Sequence, residues 1–210
     1  MKTALFDLDG TLTDPRDDLT LAVNLTRADY NLPPVERDFV VDHVGHGVRA
    51  LIGGTFDPMP ESYELILKRY RDHYAAHFLD NTTLYPGVEH TLATLHEAGW
   101  KLGVVTNKPA PFAAPILEGL GVAHFFGSIV GGGDCEKMKP DPAPLYLAAE
   151  KMRVTLDPSD WMIGDHVTDL ESGKNAGLQT CFCEFGMGES HGVPYDVVIG
   201  RMDDFLLHIA

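Results

Sequence analysis

Residues 2–11 read Lys-Thr-Ala-Leu-Phe-Asp-Leu-Asp-Gly-Thr. A short apolar run stops at Asp7 and Gly10 follows closely, the pattern of a buried parallel strand whose C-terminal end opens into a polar turn. Similar runs recur at 101–106 (KLGVVT), 128–131 (SIVG), 160–164 (DWMIG), 178–183 (LQTCFC) and 196–199 (DVVI). Helix-like stretches separate most of them. Residues 86–98 begin with a proline, set Val88, Leu92 and Leu95 on one face and stop at Gly99, and 142–152 and 168–176 read the same way. Strands alternating with helices predict an α/β chain built on a parallel sheet.

Between the first strand and residue 86 lie roughly seventy residues with little strand character, whereas 18–30, 37–44 and 61–78 have helical spacing. They predict a small helical domain, residues 14–84, inserted into a core made of 1–13 and 85–210. No internal repeat or low-complexity tract interrupts this plan.

The 210 residues are 44% hydrophobic and 22% charged, enough to bury one core with an insertion and too apolar for a disordered chain. Sixteen Lys and Arg against 31 Asp and Glu give a net charge of −15, which repels nucleic acids and anionic membranes. Three cysteines, Cys135, Cys181 and Cys183, are too few for a disulfide framework and lack paired CxxC spacing. The N-terminal run meets Asp7 too early for a signal peptide or a membrane span. A cytoplasmic protein is expected, with no nucleic-acid or membrane partner; its oligomeric state is left open.

Chemistry concentrates at strand ends. Asp7 and Asp9 stand two apart where the first strand ends, and Asp165 and Asp169 follow the strand at 160–164. Carboxylates converging from separate strand ends make an oxygen-rich site suited to Mg²⁺, which keeps waters and accepts phosphate oxygens as ligands. The expected substrate is therefore a small phosphate ester, with Asp7, Asp9, Asp165 and Asp169 as candidate metal ligands. Thr106 ends the second strand and offers a hydroxyl to phosphoryl oxygens; Asn107 beside it either orients the phosphate or stabilises a turn. Lys139, just before a Pro-rich helix start, supplies a point charge. In open α/β sheets ligands bind beyond the carboxyl ends of the strands, so these distant residues are expected to meet.

Four motifs run in order: FDLDGT from Phe6, VVTNKP from Val104, KMKPDPAP from Lys137 and GDHVTD from Gly164. In these the chain resembles the haloacid dehalogenase superfamily, and within it the phosphoglycolate phosphatase group, over nearly its whole length. The resemblance implies a Rossmann-like core, a small α-helical cap and Mg²⁺-dependent hydrolysis of a phosphate monoester, 2-phosphoglycolate foremost, through an aspartyl-phosphate. It implies Asp7 as nucleophile, Asp9 as general acid and base, Thr106 and Lys139 as phosphoryl binders, and Asp165 as the metal anchor. The segment 43–51 (HVGHGVRAL) resembles the specificity loop of that group. Gly45 would allow close backbone approach, and His46 or Arg49 would meet a substrate carboxylate. Two departures stand out: His166 occupies a position where Ser or Thr is usual, and 185–188 (FGMG) stands where an aromatic-Gly-Tyr run is common.

Other readings are weaker. A dehalogenase needs neither Mg²⁺ nor Asp9, and the one cap lysine, Lys68, lies too far along a helix for phosphonatase chemistry. A sugar-phosphate phosphatase or phosphomutase shares the whole core constellation. A phosphoacceptor signalling or binding protein is the non-enzyme alternative. His73 and His77 stand four apart on a helix without the Glu of HExxH, so a solvated face is expected there. Cys181 and Cys183 share one face of a strand and are expected to pack.

Overall fold

The computed structural model describes residues 2–209. Its core is a six-stranded sheet of β1 (Thr3–Phe6), β4 (Lys101–Pro109), β5 (Ser128–Gly132), β6 (Trp161–Gly164), β7 (Gln179–Cys183) and β8 (Val197–Ile199), in the order β5-β4-β1-β6-β7-β8. Every neighbouring pair is parallel. The α/β, Rossmann-like expectation holds.

The central strand explains why. Each residue of β1 is buried, and successive side chains alternate between faces. Leu5 packs with Val105, Val130 and Met162 under α7 (Ala143–Met152). Ala4 and Phe6 belong to the larger cluster through α5 (Val88–Glu97) and α6 (Ala110–Gly119). A strand covered on both sides must be apolar throughout, and burying each Leu or Phe stabilises the fold by about 1.5–3 kcal/mol. From β1 the chain builds outward through β4 and β5, then returns to lay β6, β7 and β8 on the other side. The carboxyl ends of β4, β1 and β6 therefore border the crevice where the winding reverses.

Helices α1 (Arg16–Asp29), α2 (Arg37–Val41), α3 (Val48–Thr55) and α4 (Tyr63–His77) lie between two short strands, β2 (Thr13–Asp14) and β3 (Thr83–Leu84). These strands pair antiparallel, Thr13 with Leu84 and Asp14 with Thr83, so the chain enters and leaves the helical segment side by side. Asp18, fully buried, fastens this joint by accepting from the backbone N–H groups of Asn81 and Thr82 and from both their side chains. Among the described residues, no helix is long and apolar enough to cross a membrane.

Three local features differ from the sequence expectation. The loop expected over 43–51 is already helical from Val48, because Gly47 at φ +84° turns the chain and Leu51, Ile52 and Thr55 then share a buried face. Helix α6, absent from the sequence reading, tolerates two prolines: Pro111 sits in the first turn, where no N–H partner is needed, and Pro115 removes a single intrahelical bond. Strand β4 continues three residues past Thr106, with a register shift between Val105 and Pro109.

Candidate active site

Asp7 is locked where β1 ends. Its N–H donates to the Ile163 carbonyl at 2.9 Å, continuing the ladder beyond the strand. Gly10, at φ +88°, then brings the turn against Asp165: a Cβ there would stand 2.1 Å from Asp165 Oδ2. Thr11 Oγ1 donates to Asp165 Oδ1, and the N–H groups of Met187 and Gly188 donate to Oδ2, each at 2.9 Å. The 185–188 loop thus acts here through its backbone, which clamps a carboxylate.

Asp7, Asp165 and Asp169 are all buried and offer oxygens within 4.8 Å of one another. Lys139 Nζ lies 2.6 Å from Asp169 Oδ1, 2.9 Å from Asp7 Oδ1 and 2.6 Å from the Val105 carbonyl. One ammonium among three carboxylates leaves excess negative charge. Burial, reinforced by the neighbouring carboxylates, pushes Asp165 up to about 7 and Asp169 up to about 6. Lys139 is held above its ordinary value because Asp169 and Asp7 outweigh the opposing effect of burial. Asp7 Oδ1 is buried and accepts no hydrogen bond despite its nearness to the ammonium. Three buried carboxylates sharing a single ammonium make an anionic pocket of hard donors that fits a divalent, oxygen-preferring cation.

Asp9, grouped with these carboxylates as a candidate metal ligand in the sequence reading, stands outside the trio of mutually close oxygens, although it lines one cavity with Asp7 and another with Asp165. Its oxygens lie 2.8 and 3.0 Å from Lys108 Nζ, whose ammonium also stands 4.8 Å from the centre of the Tyr74 ring. The reason is the continuation of β4, which delivers Lys108 to this side. Lys108 was missed, although a signal existed: in an extended strand it shares a face with Thr106, two residues earlier. Burial pushes the Asp9 carboxyl above the usual range, against the pull of Lys108. Thr106 Oγ1 accepts from the Lys108 N–H at 3.2 Å, which leaves its own hydrogen available to an incoming oxygen.

Asn107 is fully engaged. Its amide nitrogen donates to the carbonyls of Gly45 and Lys139, both at 3.0 Å, and its Oδ1 accepts from the Lys139 N–H. With both amide hydrogens engaged, the side chain ties the loop at Gly45 to Lys139, in line with the stabilising role that was one of its two expected readings. Gly45 packs on His166, whose ring a Cβ would approach to 2.6 Å. His46 stands edge-on to the same ring at 4.5 Å, and Arg49, exposed, lies over Tyr63 at 4.9 Å, outside the residues lining the cavity. His166 caps α8 (Val167–Asn175): its Nδ1 accepts from the Thr168 N–H while Asp169 Oδ2 accepts from the His166 N–H. Burial, with His46 nearby, lowers the imidazole to about 4.

Between helices and sheet lies a cavity of about 50 Å³, room for several waters or a small organic group. Asp7, Asp9, Thr106 and Lys108 line it from the core; Leu19, Val44, Val48, Leu51, Tyr70, Arg71 and Tyr74 line it from the helical segment. Elsewhere, His73 meets Asp29 and His77 meets Asp80, each imidazole with its own carboxylate and neither in a metal cluster. Cys181 and Cys183 are buried in the core.

Comparison with known proteins agrees with this geometry. A family model described as haloacid dehalogenase-like hydrolase matches residues 4–183. An N-acetylmuramic acid 6-phosphate phosphatase of Pseudomonas aeruginosa is 38% identical over 189 residues, covering 89% of this chain and 83% of the relative. A phosphoglycolate phosphatase of Salmonella paratyphi A is 31% identical over 227 residues, covering 96% and 89%. The crystal structure of a predicted phosphoglycolate phosphatase from Haemophilus somnus superposes with a TM-score of 0.90 at 29% identity, covering 100% of this chain and 98% of the other. The chain belongs to the haloacid dehalogenase-like hydrolases. Within them it groups with the phosphoric monoester hydrolases and is phosphoglycolate phosphatase-like.

Proposed function

We propose that the protein hydrolyses a small phosphate monoester, 2-phosphoglycolate foremost, through an aspartyl-phosphate formed on Asp7. The observation carrying this is the meeting of Asp7, Asp9 and Thr106 on one cavity, with Lys139 2.9 Å from Asp7. Asp7, Asp165 and Asp169 would hold Mg²⁺, which supplies the positive charge that lets an anionic nucleophile approach a dianionic ester.

The chain's own residues do the rest. A carboxylate oxygen of Asp7 attacks phosphorus as the ester P–O bond breaks, and the Asp9 carboxyl gives its proton to the departing oxygen. In the second half a water attacks the same phosphorus, Asp9 takes the water's proton, and the bond to Asp7 breaks to release inorganic phosphate. A buried Asp9 with raised proton affinity suits both roles. The Thr106 hydroxyl and Lys139 hold phosphoryl oxygens, and the apolar side chains above the cavity exclude bulk water.

A second reading, a phosphorylated sugar acid, is favoured by the apolar wall of Leu19, Val44, Val48, Leu51 and Tyr70, more than a two-carbon acid needs. The relative named for N-acetylmuramic acid 6-phosphate supports that reading. The three free cysteines and the charge of −15 fit a reducing cytoplasm and a small-molecule substrate. The test is a panel of phosphate esters with Mg²⁺, following inorganic phosphate, with Asp7→Asn as control. Release from 2-phosphoglycolate well above other small esters supports the first reading, and preference for the sugar acid supports the second. Phosphosugar isomers without phosphate release would point to a mutase and overturn both.

A further inference from the structure

We propose that Arg71 selects, among phosphate monoesters, those whose organic part carries a carboxylate; the inference rests on the phosphatase reading above and assigns its specificity to a cap residue. In a chain with 31 acids and 16 basic residues, an arginine without an acid beside it needs explaining. The other cap arginines are all occupied. Arg16 pairs with Asp14, Arg37 with Asp17 and Arg69 with Asp29. Arg27 donates to the carbonyls of Pro33 and Thr55, and Arg49 lies over Tyr63. Among the described residues, Arg71 has no such carboxylate, carbonyl or ring partner, and it lines the cavity that Asp7 and Thr106 line from below.

Helix α4 places it there. Tyr70 and Tyr74, on the same helix, line the cavity too, so this stretch of α4 faces the core site. Lys108, the other basic residue lining the cavity, is already held by Asp9, so Arg71 is the cation open to a ligand. A guanidinium offers paired donors that match a carboxylate; Arg71 is itself exposed, at the rim of a cavity that Leu19, Val48 and Leu51 also line. A substrate with phosphate on Asp7 and a carboxylate at Arg71 would bridge core and cap. Esters lacking the carboxylate would leave the guanidinium unmatched.

The experiment compares two substrate pairs that differ in the carboxylate: 2-phosphoglycolate against ethylene glycol monophosphate, and N-acetylmuramic acid 6-phosphate against N-acetylglucosamine 6-phosphate. p-Nitrophenyl phosphate serves as the general ester. The natural chain is expected to favour the acid in at least one pair by about 10-fold or more. Arg71→Met is expected to lower kcat/KM for that acid by about 10–100-fold, chiefly through KM, while the neutral ester stays within about threefold. Arg71→Lys should recover part of the loss. The neutral esters control for folding. A preference for the acid that survives in Arg71→Met, an equal loss for both members, or no preference in the natural chain overturns the proposal. No turnover of any ester, p-nitrophenyl phosphate included, overturns the phosphatase reading itself and the selection with it.

Discussion

Lys108 Nζ holds both carboxylate oxygens of Asp9, at 2.8 and 3.0 Å, beside but outside the cluster of Asp7, Asp165 and Asp169. The two carboxylates of the first motif, two residues apart in the chain, therefore have different partners: Lys139 for Asp7 and Lys108 for Asp9. The proposed nucleophile and the proposed proton carrier share one cavity, each with its own lysine.

Lys108→Met should cost more for esters with poor leaving groups. If Lys108 orients Asp9 for proton donation, kcat for an alkyl phosphate falls about 100-fold, whereas p-nitrophenyl phosphate, whose leaving group needs no proton, loses less than about 10-fold. Equal losses for both would assign Lys108 a structural role only. Methionine keeps a similar side-chain length while removing the ammonium, which pairs with Asp9 and stands over the Tyr74 ring.

Asp7→Asn should leave a folded protein with turnover reduced by roughly 10⁴-fold or more, because an amide cannot form the acyl phosphate. Unchanged circular dichroism with no phosphate burst is the expected pair of results.

Divalent metal should raise thermal stability, and more so at pH 7 than at pH 5. Asp165 and Asp169 have proton affinities raised above their unfolded values. The metal-free native state therefore binds more protons than the unfolded state between the ordinary carboxylate range and about 7. Stability from these groups is present at low pH and is lost as pH rises through that window. Mg²⁺ competes with the same protons, so its effect grows with pH. At about 100-fold excess over Kd it should add about 2.7 kcal/mol, which scanning calorimetry with and without chelator would read. Asp165→Asn should remove most of that gain.

His166→Ser should preserve the start of α8, since serine caps as well as the imidazole does, whereas His166→Ala should cost about 1 kcal/mol in chemical denaturation. The natural cap requires an unprotonated Nδ1, and burial keeps the imidazole near 4. Because this lies below the imidazole's ordinary value of about 6.5, its contribution should be complete above about pH 6.5 and lost progressively as pH falls to about 4, a decline absent in the serine variant.

Much of the architecture was readable because it rests on local rules. A short apolar run broken by an acid marks β1, and Gly99 and Gly177 punctuate the helices before β4 and β7. The grouping of Asp7, Asp165 and Asp169 follows from strand ends meeting at one edge of a parallel sheet. Lys108 and Arg71 were not legible for a different reason. Each looks like a solvated base in sequence, and each acquires meaning only where β4 extends past Thr106 or α4 crosses the cavity. Asn107 was half legible: its place beside the phosphate side was evident, but its hydrogen bonds to Gly45 and Lys139 depend on the approach of two distant loops. Arg49, expected to meet a substrate carboxylate, lies over Tyr63 because α3 already begins at Val48.

The antiparallel pairing of Thr13 with Leu84 and Asp14 with Thr83 makes the helical segment an interchangeable cassette. Its two ends are neighbours in space, so a segment of different length or shape could be grafted between them without altering the sheet beneath, provided that it supplied an acid in the place of Asp18 to close the seam. On the proposed reading, reaction machinery and substrate choice would be written in separable stretches of chain, and a chimera that kept β1, β4 and β6 while exchanging the insert should inherit the chemistry of one parent and the appetite of the other.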